Sequence, residues 1–260
     1  MNKLHHTPLT MRTFLFLMLS ALHLAPASAQ TLRVLTAGAF KQVVVNFVPA
    51  FEAAHGVKVD VQNDTAGALL KRVTAGETFD VMFLTPAGLA ELARAGKVDA
   101  ASVKPVAKVV IGVAVKAGQP LPPLVTVEDF KQAVLRANKV AYIDPASGGS
   151  SGIYLDGLFK RLGIADAVKA KAVLVPGGYA AERVVSGQAD MAIHQVSEIL
   201  PVSGVVLAGL LPDEIQNTTT YGYGIALDTR LPDLARKFVG AMSTREAADV
   251  IRAKGMQPAQ

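Results

Sequence analysis

The sequence predicts an α/β chain folded as two lobes, with mixed, mainly parallel sheets and a ligand cleft between the lobes. Short β-branched runs alternate with amphipathic helical segments from Gln30 onward, the pattern of strands connected through helices. The stretch Gly118-Gln119-Pro120-Leu121-Pro122-Pro123 breaks that alternation near its middle. The roughly 230 residues after Ala29 are enough for two lobes, each with a core of its own.

The first twenty-nine residues stand apart from this pattern. Lys3 and Arg12 precede the apolar run Thr13 to Ala25, which ends in Pro26-Ala27-Ser28-Ala29. A basic start, a short apolar centre and small residues at Ala27 and Ala29 predict a secretory signal peptide cleaved before Gln30, and so a periplasmic protein. The run is too short to cross a hydrocarbon layer of about 30 Å as a stable helix. With no cysteine in the chain, disulfides, thiolate metal ligands and a lipid-modified cysteine are all excluded. Removing Lys3 and Arg12, with no acidic residue, lowers the formal charge from +5 to +3. The basic residues are scattered and lack interleaved aromatics, which argues against a nucleic-acid partner.

From Gln30 the elements are expected in this order. Leu32 to Leu35 is a strand; Phe40 to Ala54 is a helix, with Phe40, Val43, Val44, Phe47, Val48 and Phe51 recurring at helical spacing and Gly56 as its stop. Val57 to Val61 is a strand, Ala66 to Ala75 a helix closed by Gly76, Phe79 to Leu84 a strand, and Leu89 to Ala95 a helix closed by Gly96. The long apolar strand Val106 to Lys116 leads into the proline-rich break, where a crossing between lobes is placed. Helices over 127–137, 153–162 and 179–186 then alternate with strands over 139–143, 172–175 and 190–194. A strand over 218–227 returns to the first lobe, and helices over 231–242 and 243–254 follow, the last opened by Ser243 and Glu246 at capping-box spacing. The lobes are then residues 30–112 plus 222–260, and residues 113–221.

Strand ends that lead into helix N-termini present unpaired N–H groups and a partial positive charge, so they are candidate anion sites. Four such loops occur: Gly38-Ala39-Phe40, Thr65-Ala66-Gly67, Ser147 to Gly152, and Gly177-Gly178-Tyr179. The candidate binding residues are Ala39, Phe40, Thr65, Thr85 after the strand 79–84, Ser150, Ser151, Gly178, Tyr179, His194 and Gln195. Ser150 and Ser151 are expected to donate hydroxyl hydrogen bonds, and glycines around them let backbone approach a guest closely. His194 and Gln195 close a strand at its carboxyl end, where ligands of open α/β sheets bind. Each loop also reads as an ordinary helix cap, and a lone histidine as a core residue. Asp64, beside Thr65, is expected to point outward or to cap its helix.

The order and spacing of several motifs resemble one family. Leu32-Arg33-Val34-Leu35-Thr36-Ala37, Phe51 to Val57, Leu69 to Phe83, Ser151-Gly152-Ile153-Tyr154 and Gly187 to Ile193 are similar to segments of the molybdate-binding periplasmic proteins. The resemblance spans nearly the whole chain after Gln30. It implies the type II periplasmic-binding-protein fold, a monomeric receptor with no cofactor, and two partners: a small anionic solute and the membrane permease of an ABC importer. It also implies an oxyanion held by hydroxyls and backbone N–H groups from the first two loops. Here Ala37-Gly38-Ala39-Phe40 stands where those proteins carry serines, Thr65 keeps a hydroxyl, and Gln195 stands where molybdate binders have tyrosine.

Molybdate-type oxyanions are thus the leading ligand, and three alternatives stand beside them. A protonated His194 would suit a small organic carboxylate. A periplasmic sensor subunit would share this sequence. A serine hydrolase is suggested by Gly148-Gly149-Ser150-Ser151-Gly152 with Asp190 and His194. Against it, Asp144 to Ser147 separate that motif from its strand, and Asp190 and His194 on one strand would lie roughly 13 Å apart. The expectation is a binding protein and not an enzyme. No metal is expected either: Asp60 to Thr65 opens like a calcium loop but has Thr65 in place of its glycine and Lys71 in place of its final glutamate.

Overall fold

The computed structural model describes residues 30–259, so the segment expected to be a signal peptide lies outside the described residues. In chain order the elements are β1 (Thr31–Ala37), α1 (Gly38–His55), β2 (Lys58–Asp64), α2 (Ala66–Thr74), β3 (Val81–Leu84), α3 (Pro86–Arg94) and β4 (Lys104–Lys116). Then come α4 (Val127–Arg136), β5 (Val140–Ile143), α5 (Ser150–Arg161), α6 (Ala165–Lys169), β6 (Ala172–Val175), α7 (Glu182–Val185), β7 (Met191–Gln195) and α8 (Val196–Ile199). The chain ends in β8 (Val205–Leu210), β9 (Thr218–Ile225), α9 (Pro232–Ala241), α10 (Arg245–Ala253) and β10 (Gln257–Pro258).

The strands run in the order β2-β1-β3-β9-β4-β7-β5-β6, with β8 and β10 also paired to β4. Parallel pairs lie toward the outside, β1 with β2 and β3, and β5 with β6 and β7. Antiparallel β4 and β9 join them in the middle. One core gathers around β1, β3 and β9 with Phe40, Phe83 and Phe238. A second gathers around β5 and α5 with Phe130, Leu158 and Phe159. The aromatic residues of the first core interlock, with Phe40 stacked on Phe83 at 4.9 Å and Phe51 edge-on to Phe238 at 4.9 Å.

The crossings between the lobes are not where the proline-rich stretch suggested. Strand β4 pairs with β9 as far as Val110 and with β7 and β8 from Ile111 onward, so one continuous strand passes between the lobes. The amide of Gln216 occupies the join, accepting from Ile111 N at 2.9 Å and donating to Ile111 O at 3.0 Å. It replaces a missing ladder partner where the backbone would otherwise be orphaned. Residues 118–123 lie beyond this crossing, and the return is the segment between β8 and β9.

Several element boundaries also differ from the sequence reading. Helix α1 starts at Gly38 and α5 at Ser150, each earlier than its apolar periodicity indicated. Tyr179 precedes α7 and does not open it. The last helix is capped by Thr244, whose hydroxyl accepts from Ala247 N at 3.1 Å, and not by Ser243. Strand β8 and the single turn α8 had no place in the sequence reading.

Candidate functional site

Strand β1 ends at Ala37 and α1 begins at once, with no side chain capping its first turn. The same holds at α5, whose N-cap is Gly149. Helix α2 is capped by Thr65, whose Oγ1 accepts from Ala68 N at 3.2 Å. All three N-termini open on one cavity between the lobes: Gly38 and Ala39 line it from α1, Ala66 from α2, Ser150 and Ser151 from α5. The uncapped N–H groups of α1 and α5 and the partial positive charge of three helix ends therefore converge on a single space. Among the described residues no lysine or arginine lines that space.

Hydrogen bonds cross the cleft and hold the lobes together. Gly67 N donates to Gly148 O at 3.1 Å, and Thr65 Oγ1 donates to Ser147 O. Gln42 Nε2 donates to Tyr179 Oη at 2.6 Å. The two glycines meet backbone to backbone: a Cβ on Gly67 would lie 2.8 Å from Gly148 Cα, and Gly148 itself has φ of 77°.

A cyclic network forms one wall. Tyr221 Oη, from β9 in the first lobe, donates to Gln195 Oε1 at 3.1 Å. Gln195 Nε2 donates to Ser150 Oγ at 3.1 Å, and Ser150 lies 3.1 Å from Tyr221 Oη, to which it can return its proton. Burial keeps the Tyr221 phenol protonated, well above the usual range, with the Glu198 charge acting in the same direction.

The same cavity is lined by a buried acid–imidazole pair. His194 Nε2 lies 3.1 Å from Glu198 Oε2, and the two side chains are 1% and 9% exposed. Burial drives both groups to their neutral forms, with the Glu198 carboxyl pushed up to about 8 and the His194 imidazole down to about 3. The pair is therefore a neutral hydrogen bond from carboxyl to imidazole at neutral pH. Glu198 Oε1 stands over the start of α1, where a Cβ on Gly38 would come within 2.6 Å of it.

Of the sequence-derived candidates, Ala39, Thr65, Ser150, Ser151, Gly178, His194 and Gln195 line this one cavity. The side chain of Phe40 does not; it is fully buried in the first core against Phe83, although its residue sits in the first turn of α1. Thr85 caps α3 through Gly88 N, away from the cavity. Tyr179 bonds Gln42 across the cleft, and its ring is not part of the lining. Asp64 lines the cavity, where it accepts from Thr65 N at 2.8 Å and lies 3.6 Å from Arg72 Nη1, which offsets its charge.

Glu198 and Tyr221 were not among the candidate binding residues of the sequence reading. The available signal for Glu198 was a single acidic residue four positions after His194, the only carboxylate from Met191 to Leu200. The serine-hydrolase geometry is absent. Asp190 Oδ2 accepts from Asn138 N and Lys139 N at 2.6 and 2.9 Å, and Ser150 bonds Gln195 and Tyr221 in place of a histidine.

Two lobes closing helix N-termini over a shared cavity is the architecture of a solute receptor, and the family match agrees. The family model for bacterial extracellular solute-binding proteins covers residues 32–257. The chain belongs to this family. As such a protein it is 32% identical over 241 residues, 90% of either chain, to an aconitate isomerase from Pseudomonas sp. In structure it is similar to the Azotobacter vinelandii periplasmic molybdate-binding protein, with a TM-score of 0.72 and 20% identity over 88% of this chain and 100% of that one. It is also similar to the sulfate-binding protein SubI of Mycobacterium tuberculosis, with a TM-score of 0.70 and 19% identity over 89% of this chain and 88% of that one. These structural likenesses carry the fold: a two-lobed periplasmic-binding-protein architecture with the cleft between the lobes. No helix among the described residues is long and apolar enough to cross a membrane.

Proposed function

We propose that the chain is a periplasmic receptor whose interlobe cavity binds a small organic polycarboxylate for delivery to a membrane permease. The observation that carries this reading is Glu198, a carboxyl held neutral in a cavity otherwise furnished with helix N-termini. With its proton held toward His194 the carboxyl brings no negative charge to the cavity, whereas an ionised one would repel any anion. Two of the hydroxyls on the cavity are engaged within the protein, Thr65 with Ser147 and Ser150 with Tyr221 and Gln195. Separate helix ends suit a guest with separate carboxylates, one for each. The 32% identity to an aconitate isomerase supports the same class, since aconitate is a propene tricarboxylate.

That relative also favours a second reading, in which the cavity changes its guest as well as holding it. Both readings share a ligand class, so one screen tests them together. Thermal shift and calorimetry with citrate, tricarballylate and both aconitate isomers are expected to show binding, with molybdate, tungstate and sulfate silent. A response to molybdate or tungstate, with none to any carboxylate, overturns the proposal.

A further inference from the structure

We propose that Glu198, backed by His194, is an acid–base catalyst that moves a proton between two carbons of a bound unsaturated polycarboxylate, so that the receptor cleft isomerises its guest. The inference rests on the carboxylate reading above and adds the chemistry and the residues that perform it.

The geometry sets Glu198 apart from a binding group. One of its oxygens is tied to an imidazole 3.1 Å away, and the other faces the start of α1, where only a glycine leaves room for it. Tyrosine or serine would serve a receptor as a neutral donor without the cost of burying an ionisable pair. A buried carboxyl coupled to a buried imidazole in a ligand cavity is instead an arrangement for storing and moving a proton. His194 lies on β7 opposite Gly112 of β4, so the sheet fixes its backbone and burial holds its ring beside Glu198.

A carbon that is both allylic and next to a carboxylate is acidic enough for such a base. Glu198 passes its Oε2 proton to His194 Nε2, and its Oε1 takes a proton from the methylene carbon. The C–H electron pair becomes a new carbon–carbon double bond, and the former double-bond pair moves onto the far carbon and its carboxylate. Glu198 returns the proton to that far carbon, His194 returns its own to Oε2, and the double bond has shifted by one position. Atoms and electrons balance with no oxidant, metal or co-reactant. Negative charge that develops on the guest faces the first turns of α1, α2 and α5, where fixed N–H groups stabilise it.

Glu198 is the catalytic residue in this scheme and His194 positions and recharges it. The other ionisable groups facing the pair are the phenols of Tyr221 and Tyr179, both held protonated by burial, and Asp64 across the cavity, offset by Arg72. In the wild type the relay needs no ionisation by solvent, so the rate is expected to vary little between about pH 6 and 7, below the value of about 8 at which Glu198 itself ionises.

The test is conversion of trans-aconitate in D2O followed by proton NMR, with calorimetry in parallel. Wild-type protein is expected to interconvert the isomers and exchange the methylene protons. Glu198→Gln should bind within about fivefold of wild type yet slow turnover at least a hundredfold, the scale of general acid–base catalysis. His194→Gln should keep some turnover but make it rise steeply with pH, because Glu198 must then ionise through solvent; a merely structural histidine would leave the profile flat. Binding without isomerisation or exchange overturns catalysis and leaves the receptor reading intact, whereas no binding of any carboxylate overturns both. Turnover by a folded Glu198→Gln at the wild-type rate removes Glu198. If that variant does not fold, Glu198→Asp takes its place: a folded form as fast as wild type also removes Glu198.

Discussion

The two sides of the cleft meet the guest with different chemistry. From the starts of α1 and α2 in the first lobe come Ala37, Gly38, Ala39 and Ala66, which offer only backbone N–H groups, with the side chains of Asn63, Asp64, Thr65 and Tyr221 around them. From β5–α5 and β7–α8 come Ser150, Ser151, His194, Gln195 and Glu198, a set of hydroxyl, amide, imidazole and carboxyl. The contrast teaches why one fold serves many anions. A helix end recognises negative charge without specifying its bearer, so that half of the site can persist while the ligand changes. Discrimination and any chemistry must then reside in the side chains that surround those helix ends.

The largest effect is expected where the two sides touch. Gly67 sits in the first turn of α2 with ordinary helical backbone, so alanine there should cost the isolated helix nothing. In the closed molecule its Cβ would fall 2.8 Å from Gly148 Cα. Gly67→Ala is therefore expected to leave the melting temperature within a few degrees while weakening ligand binding at least thirtyfold, about 2 kcal/mol. Small-angle scattering should show an expanded particle that ligand no longer compacts. Unchanged affinity would mean that binding does not require the glycine contact, and that the two sides act independently.

The second prediction isolates the buried His194–Glu198 pair. The His194 imidazole is depressed from 6.5 to about 3, so between those values the unfolded chain holds one more proton and stability rises with pH. The Glu198 carboxyl is raised from 4.5 to about 8, so between those values the folded chain holds one more proton and stability falls with pH. The two cancel between 4.5 and 6.5, which leaves a plateau there, a loss toward acid and a loss toward pH 8. The alkaline loss is on the order of 2 kcal/mol at ~1.4 kcal/mol per pH unit. Denaturant unfolding across pH should trace this shape, and Glu198→Gln should flatten the alkaline limb. A wild-type curve level from pH 6.5 to 8 would show that the pair is not neutral in the fold.

The same contrast explains what the sequence made readable. Helix starts announce themselves through a strand, a small residue and a periodic run, and so Ala39, Thr65, Ser150 and Ser151 were found on one cavity without coordinates. Phe40 failed because the first turn of a helix offers its N–H outward while its ring points to the core. Thr85 shares every local feature of Thr65, a strand end and a cap, and differs only in where its strand ends in space. The crossing in β4 was hidden because an uninterrupted apolar strand gives no sign of exchanging partners, whereas a proline-rich loop looks like a boundary. Glu198 was missed because charge is normally read as solvent exposure. Its partner is fixed by the strand end at Gln195 turning directly into α8, a single turn too short for periodicity to reveal.

The smallest effect is expected from Asp190, four residues before His194 and the third member of the apparent Ser-His-Asp pattern. Its carboxylate accepts two backbone N–H groups that fix the entry to β5, at the far end of β7 from the cavity. Asp190→Asn keeps the shape and weakens charge-assisted bonds at a solvent-exposed position, so a loss of about 1 kcal/mol of stability is expected. Ligand affinity and any isomer conversion should stay within twofold of wild type. In a hydrolase the same change would abolish activity, and in a site where β7 acts as one rigid rod it would move His194. A tenfold loss of binding with the fold intact would mean that the two ends of β7 are coupled, and that recognition extends beyond the side chains facing the cleft.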